Sequence, residues 1–227
     1  MNQIIDIFSR FTNELNNLIE LPEQLEKIIT IKFYDSQEEL LDGVLKYTIP
    51  ELKEARKNSK DFINKCLGGT INRYCGMYYI HIYIGNKNVE QIGYVYIHEL
   101  VHVCNQVKYY ENITEYGDIY ELNNNPILHL WDEFMARYYS SVVFLRYYIE
   151  KGVDKKEYYT DLLTSFQNTV QDDEYESYDG TQYLGFVAAM ADCNLIIDAD
   201  MGIYLNINNS KIVYEKLRCI KEIESII

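Results

Sequence analysis

The amino-acid sequence predicts an α+β chain, with a small antiparallel or mixed sheet near the N-terminus and a mostly helical remainder. Three observations lead there. Runs dense in β-branched and aromatic residues fall early, in "KIITIKFY" (27–34) and "MYYIHIYIG" (77–85). Apolar residues recur at helical spacing over most of the rest. Hydrophobic residues make up 48% of the 227, ample for a full-sized core. No repeat, low-complexity linker or composition break divides the chain, so a single domain over 1–227 is expected. Its core around the motif described below spans about 77–150, and its helical remainder 151–227.

The elements follow in order. Ile4, Ile5, Phe8, Phe11, Leu15, Leu18 and Ile19 share one face of an amphipathic helix. "KIITIKFY" is a strand. Ser36 and Glu39 make a capping-box pair ahead of a helix to about Tyr47. Pro50 suits the first turn of another helix, running through "KEARKNSKDF" until Gly68-Gly69 breaks the chain. In "MYYIHIYIG" Ile80, Ile82 and Ile84 alternate with Tyr79, His81 and Tyr83, the pattern of a strand with an apolar and a polar face. His81 is expected on the polar side, at a surface or in a cleft. A helix entered from Asn86–Asn88 follows, then a polar loop. Asn125-Pro126 is a cap and first-turn pair for a long helix through Glu150, closed at Gly152. Asp154 and Glu157 open a helix to about Val170, "QDDEYESYDG" is an acidic, solvated loop, and "TQYLGFVAAMADCNLIID" (181–198) is a helix. In that helix Gly185, Ala188 and Ala189 permit close packing. A last helix runs from about Ser210.

The formal charge of −14 and pI near 4.7 argue against nucleic acid and anionic membrane surfaces, since both need clustered Lys and Arg. Five scattered cysteines (Cys66, Cys75, Cys104, Cys193, Cys219) with no CxxC pair read as reduced thiols. The start "MNQIIDIFSRFTNELNN" lacks a signal peptide's basic end and apolar run, and no stretch reaches the ~18 apolar residues of a membrane span. A cytoplasmic protein is expected. The 23 tyrosines, several in adjacent pairs, reflect compositional drift.

The stretch that carries chemistry is "YVYIHELVHVCNQ" (94–106). On a helix, His98 and His102 lie four residues apart on one face and can reach one tetrahedral ion. Glu99 sits about 100° round, placed to hold a metal-bound water and not the metal. Two neutral imidazoles as ligands and a carboxylate to take the water's proton are what a zinc hydrolase requires. A strand precedes this helix, and in zinc peptidases of this kind an edge strand beside the metal helix pairs with an extended substrate. The bland alternative is a helix that happens to carry two histidines.

A third ligand is read from helical phase in "HLWDEFMARYYSS" (129–141). With His129 at 0° and about 100° per residue, Glu133, Ala136 and Ser140 fall within about 40° of it. Trp131, Phe134, Tyr138, Val142 and Leu145 lie on the far side. A carboxylate in so narrow a stripe has to be paired, hydrated or metal-bound, and Glu133 is preferred over the shorter Asp132 at the stripe's edge. Asp132 or His129 as the third ligand, and a merely solvated surface stripe, stay open. His129 and Tyr109 are candidate donors to a transition-state oxyanion.

With these residues the chain resembles a gluzincin-type zincin, and more closely the ImmA/IrrE-type peptidases. There a strand leads into a helix bearing His-Glu-Leu-Gly-His, and Glu-x-x-Ala follows on the next long helix. The matching residues are His98, Glu99, Leu100 and His102, then Glu133 and Ala136, over about 77–145. Val101 stands where that subfamily usually has Gly, and "GYVYI" replaces its customary lead-in. The resemblance implies a zincin-like fold whose sheet packs on the active-site helix, a Zn2+ cofactor, a peptide or protein substrate, and hydrolysis of a peptide bond with Glu99 as base. The rivals are a peptide deformylase, whose Cys-ligand motif Cys66 and Cys75 lack, a non-catalytic zincin-like binding or regulatory protein, and a helical interaction protein without metal.

Overall fold

The computed structural model describes residues 2–58, 68–109, 126–152 and 178–196. The helices expected over 154–170 and from Ser210, and residues 171–177 of the acidic loop expected over 171–180, lie outside the described residues; 178–180 belong to a helix. The chain divides into two compact units, Met1–Asn124 and Asn125–Ile227. The described part is α+β, with one three-stranded mixed sheet and otherwise mostly helix.

In the first unit, α1 (Asn2–Asn16) buries Ile7, Phe8, Phe11 and Leu15. Ile5, expected on that face, points outward at 59% exposure, and Ile7 takes its place. A single turn, α2 (Leu25–Ile28), precedes β1 (Ile29–Tyr34). Helix α3 (Gln37–Lys46) starts as its capping residues require: Glu39 N–H donates to Ser36 Oγ at 3.1 Å, and Asp35 N–H to Glu39 Oε2 at 3.1 Å. Helix α4 (Pro50–Asn58) opens on its proline.

Strands β2 (Gly69–Tyr74) and β3 (Met77–Tyr83) form a hairpin that the sequence reading missed. Its two-residue turn, Cys75 and Gly76, has φ of 51° and 74°, the left-handed pair that matches strand twist. A glycine at a strand's start and a cysteine in a positive-φ position are weak signals, so the pairing itself defines β2. The sheet order is β1-β3-β2, with β1 parallel and β2 antiparallel to β3. The strand leading into the motif helix is therefore the middle one. Its backbone is taken on both sides, which corrects the expectation of an edge strand there; β2 is an edge among the described strands.

Being central, β3 is covered on both faces. Ile80 and Ile82 are wholly buried on the side where α5 (Val89–Tyr109) packs. On the other side α3 supplies Leu40 and Val44, against which Tyr34 and Tyr83 pack. Each such aliphatic side chain contributes roughly 1.5–3 kcal/mol on burial. His81 belongs to this second face and has no exposure at all, so the surface or cleft position expected for it is wrong. Alternation identified its face, but could not show that a helix would cover it. Tyr34 hydroxyl and His81 Nδ1 share a 2.8 Å hydrogen bond, and the Tyr34, Tyr47 and Tyr79 rings lie within 6.4 Å of the imidazole, centroid to centroid.

Helix α1 crosses α5 at Gly93. A Cβ there would meet Phe11 and Ile7 side chains at 3.0–3.2 Å. Phe8 stacks on Tyr96 with centroids 3.9 Å apart, and Thr12 Oγ1 lies 3.3 Å from the Tyr96 hydroxyl.

The second unit is described through α6 (Pro126–Glu150) and α7 (Tyr178–Asp192). Helix α6 begins and ends as read from Pro126 and Gly152, whose φ is +74°. Helix α7 starts three residues earlier than expected, at Tyr178. Its small residues act as anticipated: a Cβ on Gly185 would sit 2.8 Å from Phe134 O and 3.2 Å from Tyr138 N, so the two helix backbones approach closely there. The Tyr138 hydroxyl donates to the Asp192 carboxylate near the end of α7. Asn194 then takes φ 57° while Leu195 N–H donates to Met190 O at 2.9 Å, a left-handed helix stop. No described helix is long and apolar enough to cross a membrane.

Candidate metal centre

The position of the motif on α5 follows from how that helix starts. Asn88 Oδ1 accepts from Gln91 N–H at 2.8 Å, and Gln91 Oε1 accepts from Asn88 N–H at 3.0 Å. This reciprocal cap pins the first turn and so the phase of every later residue. Tyr96, Ile97 and Leu100 are spent on the core, at 9%, 0% and 2% exposure. His98, Glu99 and His102 occupy the adjoining arc.

The two imidazoles converge. Nε2 of His98 and Nε2 of His102 are 3.2 Å apart, with ring centroids at 4.8 Å and planes at 80°. Nitrogens bound at 2.0–2.1 Å to a tetrahedral zinc are separated by about 3.3 Å, so the pair fits two ligands of one ion without rearrangement. Two neutral imidazoles facing each other through Nε2 need a proton or a cation between their lone pairs.

Glu99 is buried at 7% exposure, and its stem passes over the start of β2. A Cβ on Gly69 would lie 2.6 Å from Val95 Cγ1, 3.0 Å from the His81 carbonyl oxygen and 3.2 Å from Glu99 Cγ. The missing side chain of Gly69 is what lets α5 bring Glu99 this close to the strand.

On α6 the stripe read from helical phase is buried. Glu133 is 8% exposed, and Ala136 and Ser140 have no exposure; a solvated surface stripe is excluded. His129 is half-buried. Asp132, at 3%, is as buried as Glu133, so burial does not choose between the two carboxylates. Gln182 of α7 engages Glu133: its Nε2 donates to Glu133 Oε2 at 2.6 Å, shorter than an ordinary amide hydrogen bond. Sequence reading overlooked Gln182. Its signal was that it lies three residues before Gly185 and seven before Ala189, a polar side chain on the helix's small-residue face. The Tyr109 side chain lies outside the described residues.

Among the described residues, His98, His102 and Glu133 make a donor set that could hold a metal ion. Of the cysteines, Cys104 is buried within α5 and its thiol is pushed up to about 12 by desolvation, while Cys75 is exposed on the hairpin turn. Neither has the character of a thiolate ligand. Compared with known proteins, the chain matches no family model, no curated protein and no solved structure.

Proposed function

We propose that the protein is a zincin-like, zinc-dependent metallopeptidase that hydrolyses a peptide bond in a cytoplasmic peptide or protein, of the kind the ImmA/IrrE-type resemblance implies. The observation that carries this reading is the convergence of His98 and His102 Nε2 on one helix, with Glu99 between them. In the proposal His98, His102 and Glu133 hold the ion. Two nitrogens and one carboxylate oxygen suit zinc, and three protein ligands leave a fourth position for catalysis. Bound zinc would supply Lewis acidity, polarising the scissile carbonyl and acidifying water.

The chain's own residues do the rest. Glu99, one residue after the first ligand, accepts the proton of the attacking water and can return it to the leaving amine. Strand β2, an edge among the described strands, runs beside Glu99, where an extended peptide can add as a further strand.

Two variants test the reading. Purified wild-type protein should carry about one zinc per chain, and Glu133→Ala should lose or weaken it; full zinc in the variant would move the third ligand to Asp132 or His129. Glu99→Gln should keep its zinc yet lose 10²-fold or more of peptide hydrolysis, the size of a general-base contribution. Undiminished hydrolysis in Glu99→Gln would remove the base, and zinc without any hydrolysis in the wild type would leave a binding protein.

A further inference from the structure

We infer that Gln182 is a positioning residue for the third metal ligand; the inference rests on the zinc reading above. At 2.6 Å from Glu133 Oε2, the Gln182 amide has to present its NH2 group, since its oxygen there would face a carboxylate oxygen. The bond therefore fixes the orientation of the Glu133 carboxylate, which would offer an oxygen to the ion. Both side chains are buried, Glu133 at 8% and Gln182 at 6% exposure, which makes the bond strong and its loss expensive.

The geometry is built into the α6–α7 pairing. Gly185, one turn after Gln182, brings the α7 backbone so near Phe134 and Tyr138 that the short reach from Gln182 to Glu133 is held. A neutral amide is also the fitting partner. It orients the carboxylate without cancelling the charge that zinc needs, as a lysine or arginine would. Partners that hold a metal ligand in this way typically contribute 10- to 100-fold in metal affinity.

The test is zinc affinity by chelator competition in the full chain, for wild type, Gln182→Met and Tyr138→Phe. The last removes the Tyr138–Asp192 hydrogen bond, which joins the same two helices elsewhere. Gln182→Met should bind zinc 10- to 100-fold more weakly, and Tyr138→Phe as tightly as wild type. Thermal unfolding of the zinc-free proteins is the second readout: the Gln182→Met affinity loss should exceed anything its zinc-free stability explains. Should Gln182→Met fail to fold, Gln182→Leu, which likewise lacks the N–H donor, should show the same loss of zinc affinity. Wild-type affinity in the Gln182 variants overturns the inference and leaves the metal reading standing. A wild type that binds no zinc overturns the metal reading itself.

Discussion

His81 shows how a single side chain can be placed on the right face and still be misjudged. It is buried beside the Tyr34 and Tyr47 rings, and burial, with Lys32 and Arg56 nearby, pushes its imidazole down to about 3 from 6.5. Tyr34 moves the other way, to about 12, through burial and the neighbouring Tyr47, so its hydroxyl stays protonated. The neutral imidazole is the form the fold accepts. Its stabilising contribution is complete above pH 6.5 and is lost as pH falls toward 3, because only the unfolded chain takes up the proton there. The slope from this one group reaches about 1.4 kcal/mol per pH unit. Unfolding midpoints of His81→Gln should therefore change less than those of wild type between pH 6.5 and 4. Parallel curves would mean that His81 titrates normally. His98 and His102 were easier to read, because their four-residue spacing on a helix already implies a shared face.

Helices were legible wherever a chemical signal marks their ends. Ser36 with Glu39, Pro50, Asn88, Pro126 and Gly152 bound the helices as read, because caps and terminators act within a few residues of chain. Strand β2 had no such local mark; its extended form is held by antiparallel pairing with β3. The same holds for which strand is central. Helix α7 displays the element's own vulnerability at Gly185. Alanine there would gain about 1 kcal/mol of helix propensity. The added Cβ, however, meets backbone atoms of α6, which cannot move aside without displacing the helix, at a cost of roughly 1–3 kcal/mol. Gly185→Ala should thus melt below wild type in a thermal scan; an equal or higher midpoint would show that α7 has room to shift.

For the chain as a whole, metal binding and folding are linked under the proposed function. An ion that binds only the folded protein at a thousandfold over its Kd adds about 4 kcal/mol, on the order of 10 °C in midpoint for a chain this long. Stripping zinc with a chelator should lower the midpoint by that order, and Glu133→Ala should show no such chelator effect. A chelator-insensitive wild type would count against a structural zinc linkage. The charge of −14 bears on partners and not on fold, since it raises the local concentration of basic and neutral peptides over acidic ones.

The helix ends marked by Ser36, Pro50, Asn88, Pro126 and Gly152, the α+β class, the shared face of His98 and His102 and the stripe bearing Glu133 were all written in the chain, because each depends on periodicity or on groups a few residues apart. The central place of β3, the burial of His81, the hairpin at Cys75-Gly76 and the hold of Gln182 on Glu133 were decided only when distant segments met. Spacing along a chain says which direction a side chain takes, whereas burial and hydrogen-bond partners depend on what arrives from elsewhere to cover it.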